Sequence, residues 1–304
     1  MTDIQLPRLA TPQDTFTSLR ASSAVLVDKT ALLPQLIDEN KVYLACPNGM
    51  GKTMLLTMLS ELFTDGTEQF EGLAVYEHWS LTESYPVIFI SLDELDCAPT
   101  MELELILRLR YAWEQAGFPQ ALEVAPRAFT LSALLPALNS LAGQQEIVVL
   151  IDDWDYSFTR TAQSPQDLAT IERLLSTLFS WVQQCSQARF VMVTGLDRPS
   201  KVPMVGFDQF HDISTDPRFA TLLGITYEEL EANYGPYLKH QARRLNQTCD
   251  QFVRTLQACI HTVRTDDGAK HQLYVPSELN FLLRALTGLA PNPLISAFAK
   301  MGLR

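Results

Sequence analysis

The segment Val42–Phe63 reads VYLACPNGMGKTMLLTMLSELF, and its middle decides the fold. The apolar run Val42–Cys46 has the length and composition of a strand buried on both faces. A turn follows and ends in Gly51-Lys52-Thr53. Beyond it, Met54, Leu55, Met58, Leu59, Leu62 and Phe63 recur at i, i+1, i+4 and i+5, which makes one wide apolar helix face. Strand, turn, Gly-Lys-Thr and amphipathic helix together form the context in which a phosphate-binding loop works. The first N–H groups of a helix face an anion, and the helix dipole favours negative charge there. Gly51 lets the backbone pass close to phosphate oxygens, where a Cβ would clash. Lys52 supplies a point charge to the β and γ phosphates, and Thr53 offers a hydroxyl to Mg²⁺.

The full pattern G-x-x-x-x-G-K-[ST] places its first glycine at Cys46. That position shapes the turn more than it touches a ligand, so its loss weakens the match without removing a contact. Gly49 restores backbone freedom inside the loop, and Pro47 fixes φ at its second position. The expected nucleotide-binding set is Pro47, Asn48, Gly49, Met50, Gly51, Lys52, Thr53 and Met54.

Such a loop needs an acidic partner for the metal at the end of a buried strand further along. The stretch EIVVLIDDWD, Glu146–Asp155, has five apolar residues and then Asp152. Asp152 and Thr53 are the expected Mg²⁺ ligands. Asp153 stands where many such ATPases carry a glutamate that polarises the attacking water. Its carboxylate is shorter by one carbon–carbon bond, roughly 1.5 Å. A misplacement of about 1 Å can lower a rate on the order of 10²-fold. The expectation is slow ATP hydrolysis with Asp153 as the base. Thr194, at the end of the next apolar strand, emerges at the same sheet edge and is a second catalytic candidate, bonding the γ-phosphate or the lytic water. Arg198 and Lys201 either add positive charge there or are ordinary loop residues.

Around these motifs strands and helices alternate. Strands are expected over Val42–Cys46, Val87–Leu92, Glu146–Asp155 with its apolar run Ile147–Ile151, Arg189–Gly195 and Gln209–Thr215. Helices are expected over 28–40, 100–116, 130–143 and 165–185, with Pro136 inside the third implying a kink or a late start. Ser164-Pro165 is a helix-start signature. Beyond Thr215 the pattern turns helical. The fold class is therefore α/β, a five-stranded parallel sheet flanked by helices with a C-terminal helical subdomain. The expected organisation is a lead-in over 1–25, a core over 26–215 and a helical lid over 216–304.

Composition narrows the function. The chain has 304 residues, 47% hydrophobic and 19% charged, enough for a sizeable core without bulk disorder. Its net charge is −12, and Arg243-Arg244 is the strongest basic pair, so no stripe tracks a nucleic-acid backbone. The five cysteines are scattered with no C-x-x-C pair, so neither a disulfide framework nor a zinc site is expected, Cys249, Cys259 and His261 included. The N-terminus lacks the charged and apolar regions of a secretory signal, and no run of about 18 apolar residues occurs. A soluble cytoplasmic protein is expected.

The segments VLVDKTALLPQLI, MLLTMLSELF, YPVIFISL, VVLIDDWD, FVMVTGLDR and FHDISTDPRFATLLGITYEEL, in that order and spacing, resemble the bacterial and archaeal AAA-ATPase-like family. The resemblance runs from Phe16 to the segment YVPSELNFLL. It implies the ASCE/AAA-like P-loop NTPase fold, ATP and Mg²⁺. Asp28, Lys29 and Thr30 match its D-K-T, and Pro47, Gly51 and Lys52 match its P-R-R-F-G-K loop. That family loop itself lacks the first glycine. Asn48 and Gly49 stand in place of its arginines, and Met50 in place of its phenylalanine. Asp152 and Asp155 match D-E-Y-D, with Asp153 and Trp154 departing from it. Thr194 and Gly195 match T-G, and Asp212 matches D-I-S. Family members often carry a PD-(D/E)XK nuclease domain. The 30 residues that follow Tyr274 are too few for one, and the sequence offers no convincing Asp, then Glu-x-Lys, triplet on adjacent strands, so cleavage is not expected.

The expected function is an ATP-binding, slowly hydrolysing switch or regulatory subunit for a separate effector, with a protein partner or a homo-oligomer. The competing expectation is a degenerate scaffold that serves as an interaction module. A nucleic-acid enzyme is disfavoured by the acidic balance. Arg189, Arg198 and Arg218 are candidate arginine fingers.

Overall fold

The computed structural model describes residues 6–80, 83–97, 99–124, 130–196, 209–264 and 272–287. The chain gathers into two compact units. One comprises Ala31–Pro47 and Leu56–Ser214, the other Met1–Thr30, Asn48–Leu55 and Thr215–Arg304.

The first unit is built on the expected parallel sheet. Strands β1 (Lys41–Ala45), β2 (Val87–Ser91), β3 (Ile147–Asp152), β4 (Ala188–Gly195) and β5 (His211–Asp212) lie in the order β2-β3-β4-β1-β5. Every pairing in it is parallel. All six residues of β3 are buried, which is why it reads as an apolar run with no polar alternation. Ile147, Val149 and Ile151 share a core with residues of α4 (Met101–Gln115), α5 (Leu131–Ala142) and α6 (Pro165–Gln184). Alternate strand residues point to the opposite face. There Phe190 stacks on Phe63, near the end of α3 (Lys52–Asp65), with ring centroids 5.6 Å apart.

Local chemistry sets the element ends. In the Ser164-Pro165 start of α6, the Ser164 side chain accepts from the Asp167 N–H at 3.1 Å. Helix α5 starts at Leu131 and runs through Pro136, so the late start did not occur. The helix expected over 28–40 is shorter. The Asp28 carboxylate accepts from the Thr30 N–H at 2.9 Å and from its hydroxyl at 2.6 Å, which tightens Thr30–Leu32 into a 3₁₀ turn before α2 (Leu33–Ile37). The strand expected over 209–215 is only two residues long. The Asp212 carboxylate accepts from the Ser214 N–H at 2.9 Å, and Ile213–Thr215 coils into a further 3₁₀ turn.

The second unit holds α7 (Tyr227–Arg244), α8 (Cys249–Cys259), α9 (Pro276–Leu286) and an antiparallel pair, β6 (Thr262–Arg264) and β7 (Gln272–Tyr274). Capping boxes start α7, from Thr226 and Glu229, and α8, from Thr248 and Gln251. Its core joins Leu230, Tyr237, Phe252, Leu256, Leu279 and Leu283. The N-terminal lead-in, which reads as irregular, belongs to this core. Leu9 is buried in it, the Tyr237 hydroxyl donates to the Pro7 carbonyl, and the Val25 N–H donates to the Arg8 carbonyl at 2.8 Å. A short helix, α1 (Phe16–Ala21), forms within the lead-in. Burial raises the Asp14 carboxyl, but the Arg8 guanidinium and hydrogen bonds from Thr11 and Ser18 outweigh it and hold the group well below the usual carboxylate range. Among the described residues no helix is long and apolar enough to cross a membrane.

Lys29 of the D-K-T match has a structural use. Its Nζ lies 2.6 Å from both carboxylate oxygens of Glu229. Burial pushes the Lys29 ammonium below its ordinary pKa, and Glu229 pushes it back. Glu229 also accepts from the Thr226 N–H at 2.8 Å, so one carboxylate serves both an ion pair and a helix cap. Lys29→Ala should lower the unfolding free energy by about 1.5–3 kcal/mol, the range for hydrogen bonds to charged groups. Glu229→Gln, which keeps a cap acceptor, should cost less than Glu229→Ala. Urea melts of the three variants check both statements.

Candidate functional site

The sheet brings the ends of four strands to one edge. In the parallel register Leu44 faces Thr194, Ala45 faces Gly195 and Ser91 faces Asp152. The Cys46 N–H donates to the Gly195 carbonyl at 3.1 Å. The strand that runs into the Gly-Lys-Thr turn therefore ends beside Thr194-Gly195. This is the carboxyl edge, where open α/β sheets bind ligands. Asp212 of D-I-S helps to close it: it accepts from the Ser214 N–H, while the Ser214 hydroxyl accepts from the Ala45 N–H at 2.8 Å.

Asp152 is 2% exposed, and Thr194 is fully buried. The Thr194 hydroxyl donates to Asp152 Oδ1, which also accepts from the Asp153 N–H at 3.1 Å. Thr194 thus orients the carboxylate expected to hold a metal. Asp153 follows with φ +50°, a left-handed backbone that aspartate adopts more readily than most residues. This turn sends the Trp154 N–H back to the Thr194 carbonyl at 3.1 Å.

The rest of D-D-W-D shapes the exit of β4. The Asp155 carboxylate accepts from the Leu196 N–H with both oxygens, at 3.1 and 3.0 Å. The Trp154 indole N–H donates to the Tyr43 hydroxyl at 3.2 Å. A Cβ on Gly195 would overlap the Trp154 ring and lie 2.9 Å from Asp155 Oδ1, which explains the glycine of T-G. The sequence matches Asp155 to the family pattern without a role, shows Trp154 only as a departure from that pattern, and gives no signal for Tyr43.

The loop, in the second unit, is a turn over Asn48–Gly51 that feeds α3 at Lys52. Gly49 and Gly51 have φ of +80° and +108°, values that glycine alone takes without strain. Lys52 is 5% exposed and directs its ammonium toward Asn48 Oδ1 at 3.4 Å, while Thr53 is exposed. The loop carbonyls are engaged. Gly49 accepts from the Ser277 N–H at 3.2 Å, Met50 from the Gly224 N–H at 3.3 Å and Gly51 from the Leu55 N–H at 2.9 Å. Among the described residues, the N–H groups of Gly49, Met50 and Gly51 meet no acceptor. Amides without acceptors, a buried lysine and a hydroxyl at the start of a 14-residue helix form the donor set that a polyphosphate with Mg²⁺ requires, so the residues fit that group.

Of the arginine candidates, Arg218 pairs with Asp216 at 2.6 Å and sits over the Phe219 ring, and half-buried Arg189 reaches Asn40 at 3.5 Å. Arg198 and Lys201 lie outside the described residues. No cluster of three metal-ligating side chains occurs among the described residues; His261 pairs with Glu278 at 2.8 Å.

A family model described as predicted AAA-ATPase, AAA-ATPase-like, matches residues 12–205. An uncharacterized protein of the vnfD 5′ region of Azotobacter chroococcum mcd 1 is 31% identical over 216 residues, which is 70% of this chain and 42% of that protein. The chain thus spans about two fifths of that relative's length. Among solved structures, a Walker-type ATPase of Pyrococcus abyssi aligns with a TM-score of 0.44 at 14% identity, over 93% of this chain and 69% of that one.

Thr194→Val keeps the side chain's shape and removes the hydroxyl that serves buried Asp152. It should lower stability by about 1.5–3 kcal/mol, the range for a hydrogen bond to a charged group. A urea melt at pH 7 reads this loss.

Proposed function

The chain belongs to the predicted AAA-ATPase family, and on that premise we propose that it binds ATP with Mg²⁺ at Pro47–Met54, hydrolyses it slowly and works as a nucleotide-dependent switch. Its output goes to a separate protein partner or to a second copy of the chain. The observation that carries this reading is the loop itself: three N–H groups without acceptors, Gly49 to Gly51, run directly into Lys52 at the start of α3.

In this reading the loop amides and Lys52 bind the β and γ phosphates. Thr53 and Asp152 hold Mg²⁺, which when bound neutralises charge on the phosphate oxygens. Thr194 keeps Asp152 in one orientation through its buried hydrogen bond. Asp153 accepts the proton of the attacking water. Its short side chain, on a left-handed backbone, sets a low rate. The helices after Thr215, in the same unit as the loop, form the lid. A cytoplasmic location, with its supply of ATP, suits this activity.

A second reading has its own support. Asp153 in place of glutamate, with neutral Asn48 and Gly49 in place of arginines, suits a scaffold that no longer turns over nucleotide. Calorimetry with ATP–Mg²⁺ separates the two, since a scaffold gives neither heat nor a thermal shift.

Lys52→Ala should abolish ATP–Mg²⁺ binding in calorimetry, and binding as tight as the parent's would show that the site lies elsewhere. Asp153→Asn, similar in shape and in its tolerance of positive φ, should bind ATP as the parent does and lose on the order of 10²-fold in phosphate release, the scale of a general base. Asp153→Glu restores reach and should raise phosphate release above the parent's by roughly ten- to a hundredfold.

A further inference from the structure

We propose that Ser277 and Gly224 are positioning residues of the phosphate loop, forming a clasp that aims the loop's N–H groups at the nucleotide; this rests on the reading of the loop as the nucleotide site. The two residues lie far along the chain from the loop, and each donates its backbone N–H to a loop carbonyl. Ser277 holds Gly49 at 3.2 Å, and Gly224 holds Met50 at 3.3 Å. A trans peptide unit is planar, so its C=O and its N–H point in opposite directions. Fixing the Gly49 carbonyl therefore aims the Met50 N–H the other way. Fixing the Met50 carbonyl does the same for the Gly51 N–H. These are two of the three amides that meet no acceptor among the described residues.

Both halves of the clasp are closely fitted. A Cβ on Gly49 would overlap Ser277 Oγ and lie 3.1 Å from Val275 Cγ1. A Cβ on Gly224 would lie 2.7 Å from Met50 Cε and 3.0 Å from Leu273 Cβ. Each side of the contact thus depends on a glycine that the other side abuts. The segments that carry the two donors are tied to each other, because Ile225 and Tyr274 exchange N–H···O bonds of 3.1 and 2.8 Å between them. Ser277 has a reason of its own to dock. It is the second residue of α9, which has no side-chain cap, and its N–H is one of those left without a partner at a helix start. The Gly49 carbonyl supplies that partner. By linkage, whatever orders the loop tightens the clasp, and whatever opens the clasp weakens nucleotide binding.

The test uses the full chain and two readouts. The first needs no nucleotide: hydrogen exchange of the Ser277 and Gly224 amides in the nucleotide-free protein should be slow relative to exposed amides. The second is a double-mutant cycle on ATP–Mg²⁺ affinity. Gly49→Ala should weaken binding by about tenfold or more, with kcat for bound ATP changed less than KM. Adding Ser277→Ala should recover a substantial part of that loss, because the φ strain is common to both backgrounds and only the overlap is relieved. Gly224→Ala with Met50→Ala forms an independent cycle if Gly49→Ala does not fold. Fast exchange at both amides, or a double variant as weak as Gly49→Ala alone, overturns the clasp. Slow exchange in a chain that binds no ATP overturns the nucleotide reading and leaves the clasp standing.

Discussion

A peptide unit sends its carbonyl and its N–H in opposite directions, and a loop that grips anions through N–H groups must find somewhere else to send its carbonyls. That constraint organises this protein. The carbonyls of Gly49, Met50 and Gly51 each meet a donor, one from α9, one from the residue before Ile225 and one from the first turn of α3. Positive φ at Gly49 and Gly51 makes the turn possible. The glycine that starts the usual phosphate-loop pattern is absent, yet Cys46 is held by its own strand pairing to Gly195, which continues the β1–β4 ladder by one residue.

The acidic edge follows a related rule. A buried carboxylate is kept only where donors surround it. Asp152 has the Thr194 hydroxyl and the Asp153 N–H, and Asp155 has the Leu196 N–H. Both aspartates thereby tie the end of β3 to the end of β4. Asp153, between them, occupies a left-handed backbone and leaves the strand direction. In the proposed function, binding and turnover are assigned to different parts of the chain, the loop and Asp153.

Much of the fold could be read from the residues. The apolar run Ile147–Ile151 announced a strand buried on both faces, and Ser164-Pro165 announced the start of α6, because each depends on neighbours only a few positions away. The expected edge strand at 209–215 shrank to two residues because the Asp212 side chain competes for the Ser214 N–H. The β6–β7 pair passed unnoticed, since three-residue strands are too short to show a period. Asp267-Gly268, a hairpin-type dipeptide that lies outside the described residues, was the available signal. The lead-in reads as irregular because it has little helix or strand of its own, yet it is packed through Leu9, Pro7 and Arg8.

In the loop, residue identity settled which groups can meet a phosphate: Lys52, Thr53 and the backbone freedom of Gly49 and Gly51 are properties of neighbouring positions, and neighbouring positions are what a sequence displays. Which way the amides point is a different matter. It depends on Ser277 and Gly224, more than 170 residues away in the chain, and no local pattern links them to Gly49 and Met50. Likewise Thr194 was legible as a polar residue at a strand end, but its service to Asp152 arises only from the pairing that sets β4 beside β3. Short-range propensities write the elements, and the long-range hydrogen bonds that orient the site exist only once the chain has folded.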